Sequence, residues 1–113
     1  MNNELNAVLE LQKALDAKFA KDIVLMELGS ISPIADYFVI ATGGSAPQLA
    51  ALTQIAEETL KNQGLTLIHT EGIRSGNWVL LDFGGVVVHL FDQESREYYN
   101  LERIWADAKI ITA

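Results

Sequence analysis

Residues 36–45 give the clearest structural signal in this chain, and they consist of Asp36-Tyr37-Phe38-Val39-Ile40-Ala41-Thr42-Gly43-Gly44-Ser45. The part from 36 to 41 is mostly apolar and lacks polar alternation, which is typical of a strand that is buried on both faces. The glycine pair ends this strand, and a helical apolar stripe follows it to about residue 62. A buried strand that opens into a helix predicts a sheet with a crossover connection and helices on its faces.

A helix and a strand are predicted before this segment. The helix is indicated by apolar residues that recur every three or four positions, namely Val8, Leu11, Leu15 and Phe19. Residues 22–28 form a mostly apolar strand. Ser32-Pro33 indicates a turn, because the residue before a proline is disfavoured in a helix.

Three strands and a helix are predicted after the second helix, whose inner stripe is Leu49, Leu52, Ala56 and Leu60. Residues 65–69 form a short strand, and the runs 78–83 and 86–91 form two more, joined by a Gly84-Gly85 hairpin. A closing helix is indicated by Leu101, Ile104, Trp105 and Ala108. The predicted order is α-β-β-α-β-β-β-α, which indicates one α/β domain over residues 1–113 with a mixed β-sheet flanked by helices.

Composition narrows the classes of function. Eight Lys and Arg residues against fifteen Asp and Glu residues give a net charge of −7 at pH 7. The cations are scattered, so direct nucleic-acid binding is disfavoured, whereas a basic protein partner is favoured. No apolar run reaches about 18 residues, and residues 1–5 lack a basic or Arg-rich leader. We therefore expect a soluble, cytoplasmic protein without a membrane span.

The residue types also limit the chemistry. The chain has no cysteine and two histidines, His69 and His89, which disfavours thiol catalysis and a His-rich metal site. We expect no cofactor and no metal. His89 is predicted to be a partly buried strand residue that donates one hydrogen bond, and His69 to pair with Glu71.

The turn at Gly43-Gly44-Ser45 allows two interpretations. A turn between a strand and a helix commonly binds phosphate through free backbone N–H groups. A nucleotide-binding or nucleotidyl-transferring enzyme using this turn, with Asp36 or Asp82 as a lone metal ligand, is therefore the alternative function. Against it, no dinucleotide or Walker A motif is present. The segment Ser45-Ala46-Pro47-Gln48 also forms a helix capping box, which is the favoured interpretation.

The strand at 78–83 provides the candidate binding surface. Its alternation places Val79, Leu81 and Phe83 on one face, which is wholly apolar and is expected to face the core. Trp78, Leu80 and Asp82 lie on the other face. An aromatic residue beside a carboxylate is typical of a protein-binding hot spot. That face could equally be covered by a helix that buries Trp78.

Taken in order, these residues resemble the Iojap / ribosomal silencing factor RsfS family. The resemblance spans about residues 5 to 108 and depends on the order and spacing of three groups of residues. They are residues 36–43 with Ser45; Glu71-Gly72, Trp78, Asp82, Gly84 and Val88-His89; and Arg96, Tyr99, Leu101-Glu102 and Trp105.

The resemblance implies a nucleotidyltransferase-like topology without the catalytic carboxylates, and a translational repressor that is not an enzyme. Such a protein binds the large ribosomal subunit through a basic ribosomal protein, the fourteenth of that subunit, at the intersubunit face. It thereby blocks joining of the small subunit when nutrients are short, and it can form a homodimer off the ribosome. On this hypothesis Trp78 and Leu80 are anchors, Glu71 and Asp82 pair with Lys or Arg, and Tyr99 and Glu102 complete or support the surface.

Two positions depart from the family pattern. The hairpin is Gly84-Gly85 where the family usually has Gly-Asp, which removes one acidic group near the proposed contact. Pro47 stands where the family often has a basic residue, two positions after Ser45.

Overall fold

The computed structural model describes residues 3–31, 35–72, 77–106 and 108–111. Its helices and strands are, in chain order, α1 (Asn3–Ala17), β1 (Lys21–Glu27), β2 (Tyr37–Thr42), α2 (Ala46–Asn62), β3 (His69–Glu71), β4 (Trp78–Asp82), β5 (Val86–Phe91), α3 (Gln93–Tyr99), α4 (Leu101–Ile104) and β6 (Lys109–Ile111). A short 3-10 turn at Gly29–Ile31 follows β1. Within these ranges no helix is both long enough and apolar enough to cross a membrane.

The strands form one mixed sheet. The described residues give six strands in the order β3-β4-β5-β2-β1-β6. β2 and β5 pair in parallel, and every other neighbouring pair is antiparallel. The parallel pair needs a long connection, which α2 begins and which returns through β3 and β4. The predicted α/β fold with a mixed sheet flanked by helices is confirmed.

Two apolar layers cover the two faces of the sheet. On the first face α1 and α2 pack through an apolar stripe that includes Leu11, Leu15, Leu52 and Leu60. On the second face the core is built by Met26, Phe38, Ile40, Val87 and Phe91, with Leu101, Trp105 and Ala108 from the C-terminal segment. β2 is buried along its whole length because it lies between these layers, as its uninterrupted apolar sequence predicts.

The first helix is shorter than predicted. α1 ends at Ala17, and Phe19 follows with a φ of 66° and 80% of its surface exposed. Its backbone N–H donates to the Asp16 carbonyl oxygen at 3.0 Å. The prediction that Phe19 belongs to the buried stripe is therefore wrong. The chain leaves the helix through a left-handed residue in order to enter β1, and this turns the ring outward.

The other differences lie in short elements. β3 begins at His69, so the strand predicted at 65–69 lies about four residues later in the chain. The C-terminal region contains α3, α4 and the three-residue β6 instead of one closing helix, and Ile104 is exposed. The predicted turn at Ser32-Pro33 lies outside the described residues.

Candidate functional site

β4 has the two-sided character that its sequence predicts. Val79 and Leu81 are buried in the layer beneath α1 and α2, whereas Trp78, Leu80 and Asp82 on the other face are only partly buried. Phe83, just after the strand, is also buried in the first layer. The alternation prediction is confirmed, and the second face of β4 is partly accessible, since Trp78 and Leu80 also pack against the second apolar layer.

The register between β3 and β4 brings three of the predicted binding residues together. Glu71 lies opposite Leu80, and His69 lies opposite Asp82. Directly opposed residues point to the same face of a sheet. A cavity of about 280 Å³ on this face is lined by Glu71, Gly72, Trp78 and Leu80. It combines an apolar floor with one carboxylate at its edge.

Asp82 lies on the same face but at the hairpin end of β4. One of its carboxylate oxygens accepts the backbone N–H of Gly84 at 2.8 Å. Nearby, His69 Nε2 lies 3.0 Å from Glu71 Oε2, which confirms the predicted pairing of these two side chains. We call Glu71, Trp78, Leu80 and Asp82, with His69 at their border, the β3–β4 surface.

Trp78 connects this surface to the C-terminal helices. Its ring centroid lies 4.5 Å from that of Tyr99 on α3 and 5.0 Å from that of Phe91 on β5. Tyr99 is 42% exposed. The sequence allows Trp78 to be either an exposed binding residue or a residue buried beneath a helix. The structure lies between the two, because α3 covers part of the indole and leaves part of it accessible. Tyr99 therefore borders the β3–β4 surface, and its contact with a partner stays a prediction.

His89 is buried directly behind Trp78, with 4% of its surface exposed. The Trp78 indole N–H donates to His89 Nδ1 at 3.2 Å. The prediction that His89 acts as the hydrogen-bond donor is therefore wrong for this contact, in which His89 accepts. Burial lowers the pKa of His89 to about 4, because the charged ring would lose its hydration.

Glu102 lies away from the cavity and binds within the protein. Its two carboxylate oxygens accept from Nε and Nη2 of the buried Arg96 at 3.2 and 2.9 Å. Burial opposes ionisation of Glu102, but the hydrogen bonds and positive charge of Arg96 outweigh it and hold the pKa below its usual value. Glu102 therefore joins α3 to α4 and does not line the cavity on the β3–β4 surface.

The Gly43-Gly44-Ser45 turn forms a helix cap. Ser45 Oγ accepts the Gln48 backbone N–H at 3.2 Å, which confirms Ser45 as the predicted cap, whereas the Gln48 side chain bonds to Gly44 and not, as in a capping box, to Ser45. The Gly43 N–H donates to the Phe91 carbonyl at 2.8 Å, and the Gly44 N–H donates to Gln48 Oε1. Both glycine N–H groups are thus bound to protein oxygens and do not face outward towards a phosphate. Within the described ranges no three His, Asp or Glu side chains could together hold a metal ion.

His89 and Phe91 were not assigned to this site from the sequence, although the hairpin contains a signal for them. A two-residue Gly84-Gly85 turn pairs Phe83 with Val86 and fixes the register of the strands before and after it. In that register Trp78 lies opposite Phe91, and Leu80 lies opposite His89. All four side chains therefore share one face.

Comparison with known proteins gives a consistent result. Residues 2–113 match the family model described as "Ribosomal silencing factor during starvation" (RsfS). A ribosomal silencing factor RsfS of Halalkalibacterium halodurans is 40% identical over 98 residues, covering 87% of this chain and 84% of that protein. A mouse protein named mitochondrial assembly of ribosomal large subunit protein 1 is 34% identical over 89 residues, covering 76% of this chain and 39% of that protein.

A solved structure shows the same fold. The crystal structure of a Chromobacterium violaceum protein superposes with a TM-score of 0.86 and 32% sequence identity, covering 94% of this chain and 88% of the other.

Proposed function

Because this chain belongs to the RsfS family of ribosomal silencing factors, we propose that it binds the large ribosomal subunit through the β3–β4 surface and blocks joining of the small subunit. The proposed partner is a basic ribosomal protein, the fourteenth of the large subunit, at the intersubunit face. The result is repression of translation in the cytoplasm under nutrient limitation. The observation that supports this proposal is the cavity in which Glu71, Trp78 and Leu80 meet on a partly accessible face of the sheet.

The shape and chemistry of the cavity suit a basic side chain. Trp78 and Leu80 offer apolar contact to the aliphatic stem of a Lys or Arg, and Glu71 offers a carboxylate to its charged end. A cation near the indole face gains further attraction from the ring. These features support pairing with a basic protein and contribute nothing to recognition of a phosphate backbone.

Net charge supports the same choice of partner. The chain carries a net charge of −7, so it is attracted to a basic protein and repelled by the phosphates of ribosomal RNA. Long-range attraction raises the rate of encounter, and the apolar contact of Trp78 and Leu80 then slows dissociation. Affinity should therefore weaken only in part when salt is added.

Silencing by this route needs no chemical step. A protein held at the intersubunit face excludes the small subunit by its volume alone. The turn that would serve a nucleotide-using enzyme forms a helix cap whose glycine N–H groups are bound within the protein. We therefore propose a binding factor without catalytic activity.

Co-sedimentation with separated ribosomal subunits tests the proposal. The unmodified chain should pellet with large subunits and not with small subunits, and it should reduce the yield of joined particles when both are mixed. Glu71→Lys should abolish most of the binding, because it reverses charge at the cavity edge. Glu58→Lys makes the same charge change at an exposed position of α2 and is the matched control.

Trp78→Ala should weaken binding by about 2 kcal/mol or more, as loss of a central aromatic anchor does. Its folded fraction must be measured in parallel, because Trp78 also packs on Phe91 and Tyr99. Failure of the unmodified chain to bind large subunits would contradict the proposed function. Equal losses of affinity in Glu71→Lys and Glu58→Lys would show that net charge affects binding, and would contradict the assignment of the β3–β4 surface as the contact.

A further inference from the structure

The orientation of Trp78 is fixed from inside the protein. An indole ring has one polar atom, the Nε1–H group, and in Trp78 this group donates to His89 Nδ1 at 3.2 Å. Phe91 stacks against the same indole, with 30° between the ring planes. The polar atom of Trp78 is therefore used within the fold, and the accessible part of the ring is apolar.

The hydrogen bond also determines the proton position on His89. A neutral imidazole has one N–H and one acceptor nitrogen. Because Nδ1 accepts from Trp78, the proton lies on Nε2. Nε2 is fully buried and has no hydrogen-bond partner among the residues that the structure describes.

Packing alone does not account for a histidine at this position. The ring lies among aromatic neighbours, with centroids 4.5 Å from Phe38 and 6.3 Å from Phe91. A phenyl ring would fill a similar space without burying an unpartnered N–H, which is unfavourable. What a phenyl ring cannot supply is the acceptor for the indole N–H.

We infer that His89 is the positioning residue of the β3–β4 surface: its Nδ1 holds Trp78 in one orientation and so presents an apolar ring to the partner. This inference rests on the proposed function, because the partner is the large subunit. It specifies that the partner contacts Trp78 through apolar atoms or a cation over the ring, and that no partner group accepts the indole N–H.

Two substitutions separate the acceptor from the ring. His89→Phe keeps an aromatic ring and removes the acceptor, whereas His89→Asn places an amide oxygen close to the position of Nδ1. We expect His89→Phe to weaken large-subunit binding about tenfold, and His89→Asn to stay within about threefold of the unmodified chain. In ¹H–¹⁵N spectra the Trp78 indole N–H resonance should shift strongly in His89→Phe, with Trp105 as the internal reference.

The outcomes distinguish this inference from the proposed function. If the unmodified chain fails to bind large subunits, the proposed function fails. If it binds and His89→Phe binds equally well, the inference is overturned while the proposed function stands. Should either variant fail to fold, ¹⁵N spectra of the His89 ring in the unmodified chain decide the matter. A proton on Nε2 supports the inference, and a proton on Nδ1 overturns it.

Discussion

Arg96 and Glu102 form a two-pronged ion pair, in which Nε and Nη2 of the guanidinium donate to the two oxygens of one carboxylate. The pair joins α3 to α4 across Asn100, whose φ of 45° lets the chain turn between the two helices. The remaining arm of Arg96, Nη1, donates to Thr42 Oγ1 at 2.9 Å at the end of β2. The pair therefore ties the segment that contains Tyr99 to the centre of the sheet.

Glu102→Ala should lower the free energy of unfolding by about 2 kcal/mol, since it leaves the buried Arg96 guanidinium without its charged acceptor. Urea denaturation measures this change. Glu97→Ala on the exposed side of α3 is the matched control and should change stability by less than about 0.5 kcal/mol. The folded Glu102→Ala protein should still bind large subunits. Unchanged stability with a large loss of affinity would instead make Glu102 a direct partner contact.

Stability should fall on mild acidification because of His89. Its pKa is about 4 in the folded protein against an ordinary value of 6.5, so between these values the unfolded chain binds a proton that the folded chain does not. The contribution of the buried, neutral His89 ring to the free energy of unfolding is intact above about pH 6.5 and is lost as the pH falls towards 4. The expected loss in the free energy of unfolding between pH 7 and pH 5 is about 2 kcal/mol.

The carboxyl groups with shifted pKa values act differently. Because the pKa of Glu102 is lowered, its contribution to stability is lost only when the pH falls below the usual pKa of a glutamate. Because the pKa of Glu4 is raised, its effect on stability increases as the pH falls, which is opposite to the effect of His89. Urea titrations at several pH values should therefore show the free energy of unfolding falling as the pH is lowered from 7 to 5. This fall should be absent in His89→Phe. His69→Phe removes the exposed histidine and should leave the decline in place. A decline that persists in His89→Phe would assign it to another group.

Much of the fold follows from local sequence patterns. β2 is recognised by its uninterrupted apolar run and α2 by its helical apolar stripe, and Gly84-Gly85 fixes the register of β4 and β5. β6 could not be predicted in this way, because three residues contain too little periodicity and the strand forms through pairing with β1, far away in the sequence. The exit of Phe19 from the helix is likewise set by the need to enter β1.

The candidate site is likewise predictable only where it depends on local sequence patterns. Alternation along β4 places Trp78 and Leu80 on one face, but their meeting with Glu71 depends on the β3–β4 register. The pairing of Glu102 with Arg96 depends on the left-handed turn at Asn100, which neither helix signals. Local spacing thus identifies the face, and long-range contacts determine which of its residues share a cavity.

Gly85 is the hairpin position at which an acidic substitution should meet the carboxylate of Glu4. A Cβ atom added at Gly85 would overlap the Glu4 carboxylate, which extends over this position from α1. Burial, a hydrogen bond to Asp36 and the charge of Asp36 together raise the pKa of Glu4. A carboxylate at position 85 would therefore lie beside the carboxyl groups of Glu4 and Asp36.

Gly85→Ala requires only that the flexible end of Glu4 moves, so stability should change by less than about 1 kcal/mol. Gly85→Asp adds a third carboxylate beside Glu4 and Asp36 and should be clearly less stable than Gly85→Ala at low salt, with the difference reduced at high salt. Thermal unfolding of both variants, with and without Glu4→Gln, measures the coupling. A Gly85→Asp penalty that Glu4→Gln does not relieve would show that the two positions do not interact.

Gln48 should stabilise the start of α2 while keeping the glycine turn closed. Its side-chain oxygen accepts the Gly44 N–H, and its Nε2 donates to the carbonyl oxygens of Lys18 and Phe19 at 3.2 and 3.0 Å. Gln48→Ala removes these bonds and should lower the free energy of unfolding by about 1–2 kcal/mol, because water replaces part of them at this partly exposed position. Gln54→Ala, on an exposed part of the same helix, should have almost no effect.

The same pair of variants tests the alternative function of this turn. The unmodified chain should show no saturable binding of nucleoside triphosphate with magnesium in calorimetric titrations, because Gly43 and Gly44 donate to protein oxygens. Gln48→Ala exposes the Gly44 N–H, but the Gly43 N–H stays bound to the Phe91 carbonyl oxygen, and the sequence after the turn lacks the lysine of a Walker A motif. Gln48→Ala should therefore also fail to bind nucleoside triphosphate. Micromolar binding by the unmodified chain would favour a nucleotide-dependent activity instead.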